Sequence, residues 1–250
     1  MEALQGKTAV VVGGTSGVGK ATVKALIGEG ARVTAVARGA DGLERLSSEF
    51  KSGLETVRAD ASEATFADRL LPEIQPDLVV VAAGAVPHLA PLDEQTWESF
   101  SATWNADTKT AFRFVKAALR TPLRPGSTVV IVSSGAAIKG SPLSGGYAGA
   151  KRMQWLLVQY AQAVADAKRL GIRFLAVLPA QFIAGTTIGA AASEAYGARQ
   201  GISGAEVMRR FDAPLDAEKV AAAIVGALRG SIRAGVTAIS VSGKGTEDVG

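Results

Sequence analysis

The stretch "TAVVVGGTSGVGKATVKAL", residues 8–26, reads as a strand that turns through glycine into a helix. Its valine run is continuous rather than alternating, the pattern of a strand covered on both faces in a parallel sheet. Gly13, Gly17 and Gly19 make a G-x-x-x-G-x-G spacing at the turn. Glycine lets the chain turn tightly and lets a phosphate approach the backbone. The helix that follows offers free N–H groups and the positive end of its dipole to a pyrophosphate. The spacing is not the G-x-G-x-x-G fingerprint. It is not a P-loop either, because Gly19-Lys20 is followed by Ala21 and not by Ser or Thr. A tight turn with no ligand is the other reading. The position after a strand, before a helix and at the head of a βαβ run favours a phosphate site.

Outward from that turn the chain alternates. Apolar runs at 8–14, 31–37, 54–59, 77–84, 127–134, 172–179 and 236–243 read as strands. Helical periodicity occupies 17–29, 41–51, about 62–71, 95–119, 147–170 and 216–229. Such alternation predicts an α/β fold: a Rossmann-type, doubly wound sheet of about seven mostly parallel strands with helices on both faces. No repeat or linker interrupts it, so one domain over 1–250 is expected. Residues 183–213 break the rhythm, being rich in Gly and Ala with no strand of their own. They follow the C-terminal end of a strand, where α/β sheets bind ligands, and are expected to form a substrate lid; a pair of packing helices is the alternative.

Composition narrows the chemistry. There is no cysteine, which removes disulfides and thiolate chemistry, and one histidine, His88, in a Pro-flanked loop. No metal site is expected. The net charge of +4 is spread along the chain without a basic run, which argues against nucleic acid and leaves room for an anionic small molecule. No stretch has the length and apolarity of a membrane span, and no secretory leader is expected. The expected compartment is the cytoplasm. At the end of the second strand, where an acid would hold a ribose 2′-hydroxyl, stand Ala37 and Arg38. A guanidinium there grips a 2′-phosphate and favours NADP(H) over NAD(H), with Thr15 and Ser16 adding hydroxyls; Arg38 as a plain surface residue is the alternative.

The second informative stretch is "SSGAAIKGSPLSGGYAGAK", residues 133–151. Ser134 precedes Tyr147 by thirteen residues, and Lys151 follows Tyr147 by four, one helical turn on. Together with the glycine turn, Asp60 and "VAAG" at 81–84, this resembles the short-chain dehydrogenase/reductase family, in its single-domain form of about 250 residues. The resemblance implies catalysis by Ser134, Tyr147 and Lys151. Tyr147 exchanges a proton with the oxygen of a small-molecule carbonyl or alcohol, Ser134 positions that oxygen, and Lys151 favours the phenolate and holds the nicotinamide ribose. A free phenol ionises near pH ~10 and is a poor catalyst at neutrality without such help. The implied cofactor contacts are Gly13, Thr15, Ser16, Gly17, Val18, Gly19, Arg38, Asp60, Ala61, Ala83, Gly84, Pro179 and Thr186, besides Tyr147 and Lys151. Asp60 would bond the adenine amino group, or else serve locally at a helix start.

Three departures from the family stand out. Val81-Ala82-Ala83-Gly84 replaces Asn-Asn-Ala-Gly, Pro179-Ala180 replaces Pro-Gly, and the fourth catalytic position, an asparagine in the family, aligns with Asp107 in "WNADTKTAF". Asn105, two residues early, falls on another helix face. The main-chain carbonyl of Asp107 remains able to serve, so activity is expected to survive, with a pH dependence open to change by the buried acid. Ala136, Ile138, Leu143, Phe182, Ile188 and Tyr196, with His88 and Trp104, are candidate pocket residues and suggest a permissive apolar pocket. The resemblance also implies a homo-oligomer, a tetramer or dimer, built on some of Phe112, Val115, Leu156, Leu157 and Val164. Two other classes compete with the oxidoreductase: a non-catalytic dinucleotide sensor or scaffold, and a lyase or dehalogenase. The intact Tyr147–Lys151 pair argues against the first, and the intact glycine turn against the second.

Overall fold

Side chains alternate across a strand, so a continuous valine run feeds two cores at once. In a computed structural model, which describes residues 4–249, this is how the sheet is built. Strand β1 (Thr8–Val12) sends Val10 and Val12 to one face and Ala9 and Val11 to the other. Helix α1 (Gly17–Gly28), β2 (Arg32–Ala37), α2 (Ala40–Ser48), β3 (Leu54–Arg58), α3 (Phe66–Ile74) and β4 (Leu78–Val81) complete the first half. The second half runs through α4 (Trp97–Thr103), a π-helical turn (Trp104–Thr108), α5 (Lys109–Arg120), β5 (Thr128–Val132), α6 (Ala136–Lys139), α7 (Tyr147–Ala167) and β6 (Arg173–Pro179). It ends with β7 (Ile183–Ala184), α8 (Thr187–Gln200), α9 (Gly204–Arg209), β8 (Leu215–Asp216), α10 (Ala217–Leu228), β9 (Ala238–Ser242) and β10 (Gly245–Asp248).

The main sheet has eight strands in the order β10-β9-β6-β5-β4-β1-β2-β3. All its pairs are parallel except β10 on β9. From β1 the chain winds outward through β2 and β3, then returns to pair β4 on the other edge of β1. That reversal opens a crevice at the C-terminal ends of β1 and β4, where an α/β sheet takes its ligand. Helices α3, α5 and α7 cover one face and α1 and α10 the other. Phe114 and Phe174 are fully buried in the first core. Burial of each contributes about 2–3 kcal/mol.

The doubly wound mostly parallel sheet is as expected, and three details differ. First, the helix expected over 95–119 is two helices joined by the π turn. Its start is fixed by a capping box, in which the Thr96 hydroxyl accepts from the Ser99 N–H at 3.2 Å and the Ser99 hydroxyl from the Thr96 N–H at 3.0 Å. Second, residues 183–213 carry a two-residue strand after all: β7 pairs in parallel with β8, tying the start of the segment to the residues just beyond it. Third, β10 adds an eighth strand as an antiparallel hairpin on β9. The ends of the expected 1–250 domain, residues 1–3 and 250, lie outside the described residues.

Candidate active site

A cleft of about 1230 Å³ runs along the C-terminal ends of the strands. Its floor is the glycine turn. Gly13 sits at φ +84, and a Cβ there would stand 2.7 Å from the Ala83 nitrogen, so β1 and β4 meet only because the side chain is missing. Gly19 does not line the cleft. A Cβ on it would collide with the Gly13 carbonyl, so it lets α1 close on the turn from behind. The hydroxyl of Ser16, the N-cap residue of α1, makes no capping bond and stands exposed at the cleft, which half-buried Thr15 and Gly17 and buried Val18 also line. Arg38 is exposed on the rim, and its guanidinium has no salt-bridge partner among the described residues. Across it Asp60 accepts from the Ser62 N–H at 2.8 Å. That bond, with help from Arg38 and Lys109, holds its carboxyl below the usual range. Ala61, Ala83, Gly84 and Pro179 line the same walls. A glycine cradle, an open helix N-terminus and an exposed guanidinium along one cleft fit a dinucleotide.

At the far end Ser134, Tyr147, Lys151 and Asp107 come together. Ser134 lies just past β5, and its Oγ accepts from the Ala136 N–H at 3.2 Å. Tyr147 is the first residue of α7, and Lys151 lies one turn on, its Nζ 5.4 Å from the phenol ring centroid. Helix α7 is pinned there from two sides. The Ser133 hydroxyl donates to the Lys151 carbonyl at 2.8 Å, and the Thr108 hydroxyl to the Ala150 carbonyl at 3.3 Å. Gln154, fully buried, donates from Nε2 to the Asp107 carbonyl at 3.1 Å, so one lone pair of that carbonyl is taken. Lys151 Nζ stands 2.9 Å from Asp107 Oδ2 and 3.4 Å from the Val132 carbonyl. Burial by itself would push this amine down. The Asp107 carboxylate, with Tyr147, outweighs burial and holds the ammonium above its ordinary value. Asn105 points outward into solvent and reaches only Ser101.

Not every expected residue reaches the cleft. Ala136, Ile138, Phe182, Ile188 and Tyr196 line it, but Leu143, His88 and Trp104 do not. Leu143 is buried beneath the loop, held where its N–H meets the Tyr196 hydroxyl. His88 projects into solvent while its neighbours Pro87 and Leu89 turn inward, and Trp104 sits on the outer side of the π turn. Thr186 lines the cleft, but its hydroxyl caps α8: it donates to the Ile183 carbonyl at 2.8 Å and accepts from the Gly189 N–H at 3.1 Å. Sequence reasoning missed Phe211, whose ring meets Phe182 edge-on at 6.2 Å between centroids, and the C-terminal hairpin, which brings Glu247 and Val249 to the rim. It also missed Arg58. Its Nε donates to the Arg38 carbonyl at 3.2 Å, and the signal was the pairing of β2 with β3, which sets Arg58 opposite Ala37. Of the apolar helix residues, Val115 faces the chain's own core, while Phe112 and Val164 are exposed.

A doubly wound sheet with a glycine turn after β1 and a Tyr–Lys pair across the crevice defines a class, the Rossmann-type oxidoreductase fold. Within it, the family model described as short chain dehydrogenase matches residues 7–196, and the chain belongs to that family. It is 32% identical over 130 residues to L-xylulose reductase of Mesocricetus auratus, covering 52% of this chain and 53% of that protein. It is 34% identical over 131 residues to carbonyl reductase (NADPH) 2 of Sus scrofa, with the same 52% and 53% coverage. The matched segment thus spans about half the length of these relatives. Levodione reductase has the same fold, with a TM-score of 0.82 over 96% of this chain and 97% of that one at 21% identity. Among the described residues no helix is long and apolar enough to cross a membrane, and no cluster of three His, Asp or Glu side chains is set to hold a metal.

Proposed function

We propose that the chain is an NADP(H)-dependent oxidoreductase that interconverts a ketone or aldehyde and an alcohol. The observation that carries this reading is the presence, in one cleft, of the glycine cradle, an unpaired Arg38 and the Ser134/Tyr147/Lys151 group. Gly13 and residues 15–18 hold the pyrophosphate, Arg38 the 2′-phosphate and Asp60 the adenine end, while Lys151 meets the nicotinamide ribose. A bound nicotinamide dinucleotide supplies or accepts the hydride. Ser134 already accepts from the Ala136 N–H, which leaves its hydroxyl proton free to bond the substrate oxygen. Tyr147 gives that oxygen a proton in reduction and removes it in oxidation. Residues 183–213 act as the lid, and Phe182, Tyr196 and Phe211 give it an aromatic inner surface suited to an apolar substrate. Exposed Phe112, Tyr160 and Val164 on α5 and α7 support a homo-oligomer.

The likeness to an NADPH-named reductase supports the cofactor choice. The test is a fluorescence titration with NADPH and NADH separately. Tight NADPH and weak NADH binding is expected. Preference for NADH would reduce Arg38 to a surface residue, and binding of neither would sink the reading.

A further inference from the structure

Three rings that line the cleft are placed beside the catalytic residues by backbone bonds. The Gly135 N–H, next to Ser134, donates to the Pro179 carbonyl at 2.7 Å, and a Cβ on Gly135 would stand 3.0 Å from the Ala180 Cα. The exit of β6 therefore presses on the Ser134 turn and delivers Phe182 just beyond it. The Phe182 ring lies 5.7 Å from that of Tyr196 and 6.2 Å from that of Phe211. Tyr196 in turn is tied to the loop that leads into Tyr147. Its hydroxyl shares a hydrogen bond with the Ser141 hydroxyl at 2.9 Å and accepts from the Leu143 N–H at 3.4 Å. The Tyr147 N–H donates to the Ser144 carbonyl at 3.0 Å, so the same loop starts α7.

The polar groups of this wall are spent on the protein itself. Ser141 and Tyr196 take each other. The Ser144 hydroxyl donates to the Ser141 carbonyl at 3.0 Å. The Thr186 hydroxyl is used by Ile183 and Gly189, and the side-chain carbonyl of Gln181 accepts from the Gly243 N–H at 3.2 Å. Asp107 and Lys151 are buried against each other, while Lys139, Thr187 and Glu247 are exposed. What loop and lid leave to meet a substrate inside is the Ser134 and Tyr147 hydroxyls, which one carbonyl oxygen occupies, and the NH2 of Gln181.

We infer that the substrate is an apolar ring ketone with no further hydroxyls, and that Tyr196 sets this specificity by taking up the Ser141 hydroxyl and the Leu143 N–H. The inference rests on the oxidoreductase reading above and names its substrate class. Phe182 stands at 34° to Tyr196 and at 87° to Phe211. A flat ring can lie against one wall of such a corner and meet the other edge-on. A polyhydroxy ketone of the same size would bring hydroxyls that give up water and find one donor among them. An apolar pocket rejects even one added hydroxyl by about a hundredfold.

The test compares kcat/KM for the reduction of 1-tetralone, an apolar ring ketone, and L-xylulose, a ketone of similar size with a hydroxyl on every other carbon, by whichever dinucleotide binds. The parent is expected to favour tetralone by about a hundredfold or more. Equal values, or preference for xylulose, overturn the inference. Tyr196→Phe keeps the ring and frees the Ser141 hydroxyl toward the cleft. It should narrow the ratio by up to about tenfold, the worth of one hydrogen bond, and adding Ser141→Ala should widen it again. A merely structural role for Tyr196 would lower kcat/KM for both ketones alike and leave the ratio in place, which overturns the role assigned to Tyr196. If neither dinucleotide supports turnover of either ketone, the oxidoreductase reading fails. Calorimetric titration of the two ketones then decides the pocket by itself: binding of tetralone and not of xylulose supports the inference, and any other pattern overturns it.

Discussion

Replacing Gly13 by alanine tests whether the cradle depends on the absence of one side chain. Two separate costs apply. Gly13 holds φ +84, a conformation that alanine adopts at a cost of about 1 kcal/mol. The new Cβ would also stand 2.7 Å and 2.8 Å from the Ala83 nitrogen and Cα, well inside ordinary carbon contact at ~3.5 Å. Ala83 is backbone at the exit of β4. It cannot step aside without straining the bond from the Ala82 N–H to the Val12 carbonyl, 2.9 Å long. Overpacking of this kind costs about 1–3 kcal/mol. The total is about 2–4 kcal/mol, which leaves a folded protein with a displaced crevice. Gly126→Ala separates the two costs: its φ is +88 with nothing within 4 Å, so it carries only the backbone cost. Urea unfolding of both variants, with NADPH titration of each, is the assay. The steric argument is refuted if Gly13→Ala loses no more stability than Gly126→Ala and binds NADPH as the parent does.

Arg38→Ala should weaken NADPH about tenfold or more and leave NADH unchanged, because charge-assisted bonds to a phosphate are worth about 1.5–3 kcal/mol; fluorescence titration reads it. Tyr147→Phe should lower kcat by about 10²–10⁴ while the dissociation constant for NADPH stays within a factor of about three, as steady-state kinetics and binding together would show. Asp77 gives a stability test. Burial opposes its ionisation, but the Thr8 N–H and hydroxyl, at 2.8 Å and 3.0 Å, with Lys7 and Arg124, outweigh it and hold the carboxyl below its usual range. A carboxylate depressed in the folded state contributes stability above its unfolded pKa of ~4, and that contribution is lost as pH falls through the folded value. Unfolding midpoints measured from neutral pH downward should therefore drop in acid, and less steeply for Asp77→Asn.

What the sequence made legible is what local chemistry decides. Valine runs such as 9–12 and 78–81 have no solvent face, so they could only be interior strands. The π turn was hidden for the opposite reason. The residues from Trp97 to Arg120 keep a helical period, and the widening at Trp104–Thr108 goes with bonds from another helix, the Thr108 hydroxyl to Ala150 and Gln154 to the Asp107 carbonyl, more than forty positions away. Strand β10 escaped because all four of its residues are exposed and carry no apolar pattern. Leu143 and His88 were expected in the pocket because loop residues near the site usually are. Which of them turns inward depends on the Tyr196 hydroxyl and on the inward turn of Pro87 and Leu89.

Asp107 joins two of the chain's departures from its family. Where asparagine side chains are expected at the exit of β4, the chain has Ala82 at their second place, and no side chain at 82–85 can bond the backbone there. The Ala85 N–H would be left unpaired against the crevice, at a cost of about 1–3 kcal/mol. Asp107 Oδ1 supplies the missing acceptor, and the π turn carries it there. The same carboxylate then has one oxygen left over, and it faces Lys151. An asparagine in that pose would satisfy Ala85 and leave the ammonium bare. The aspartate therefore fits the alanine-lined exit and the buried lysine together.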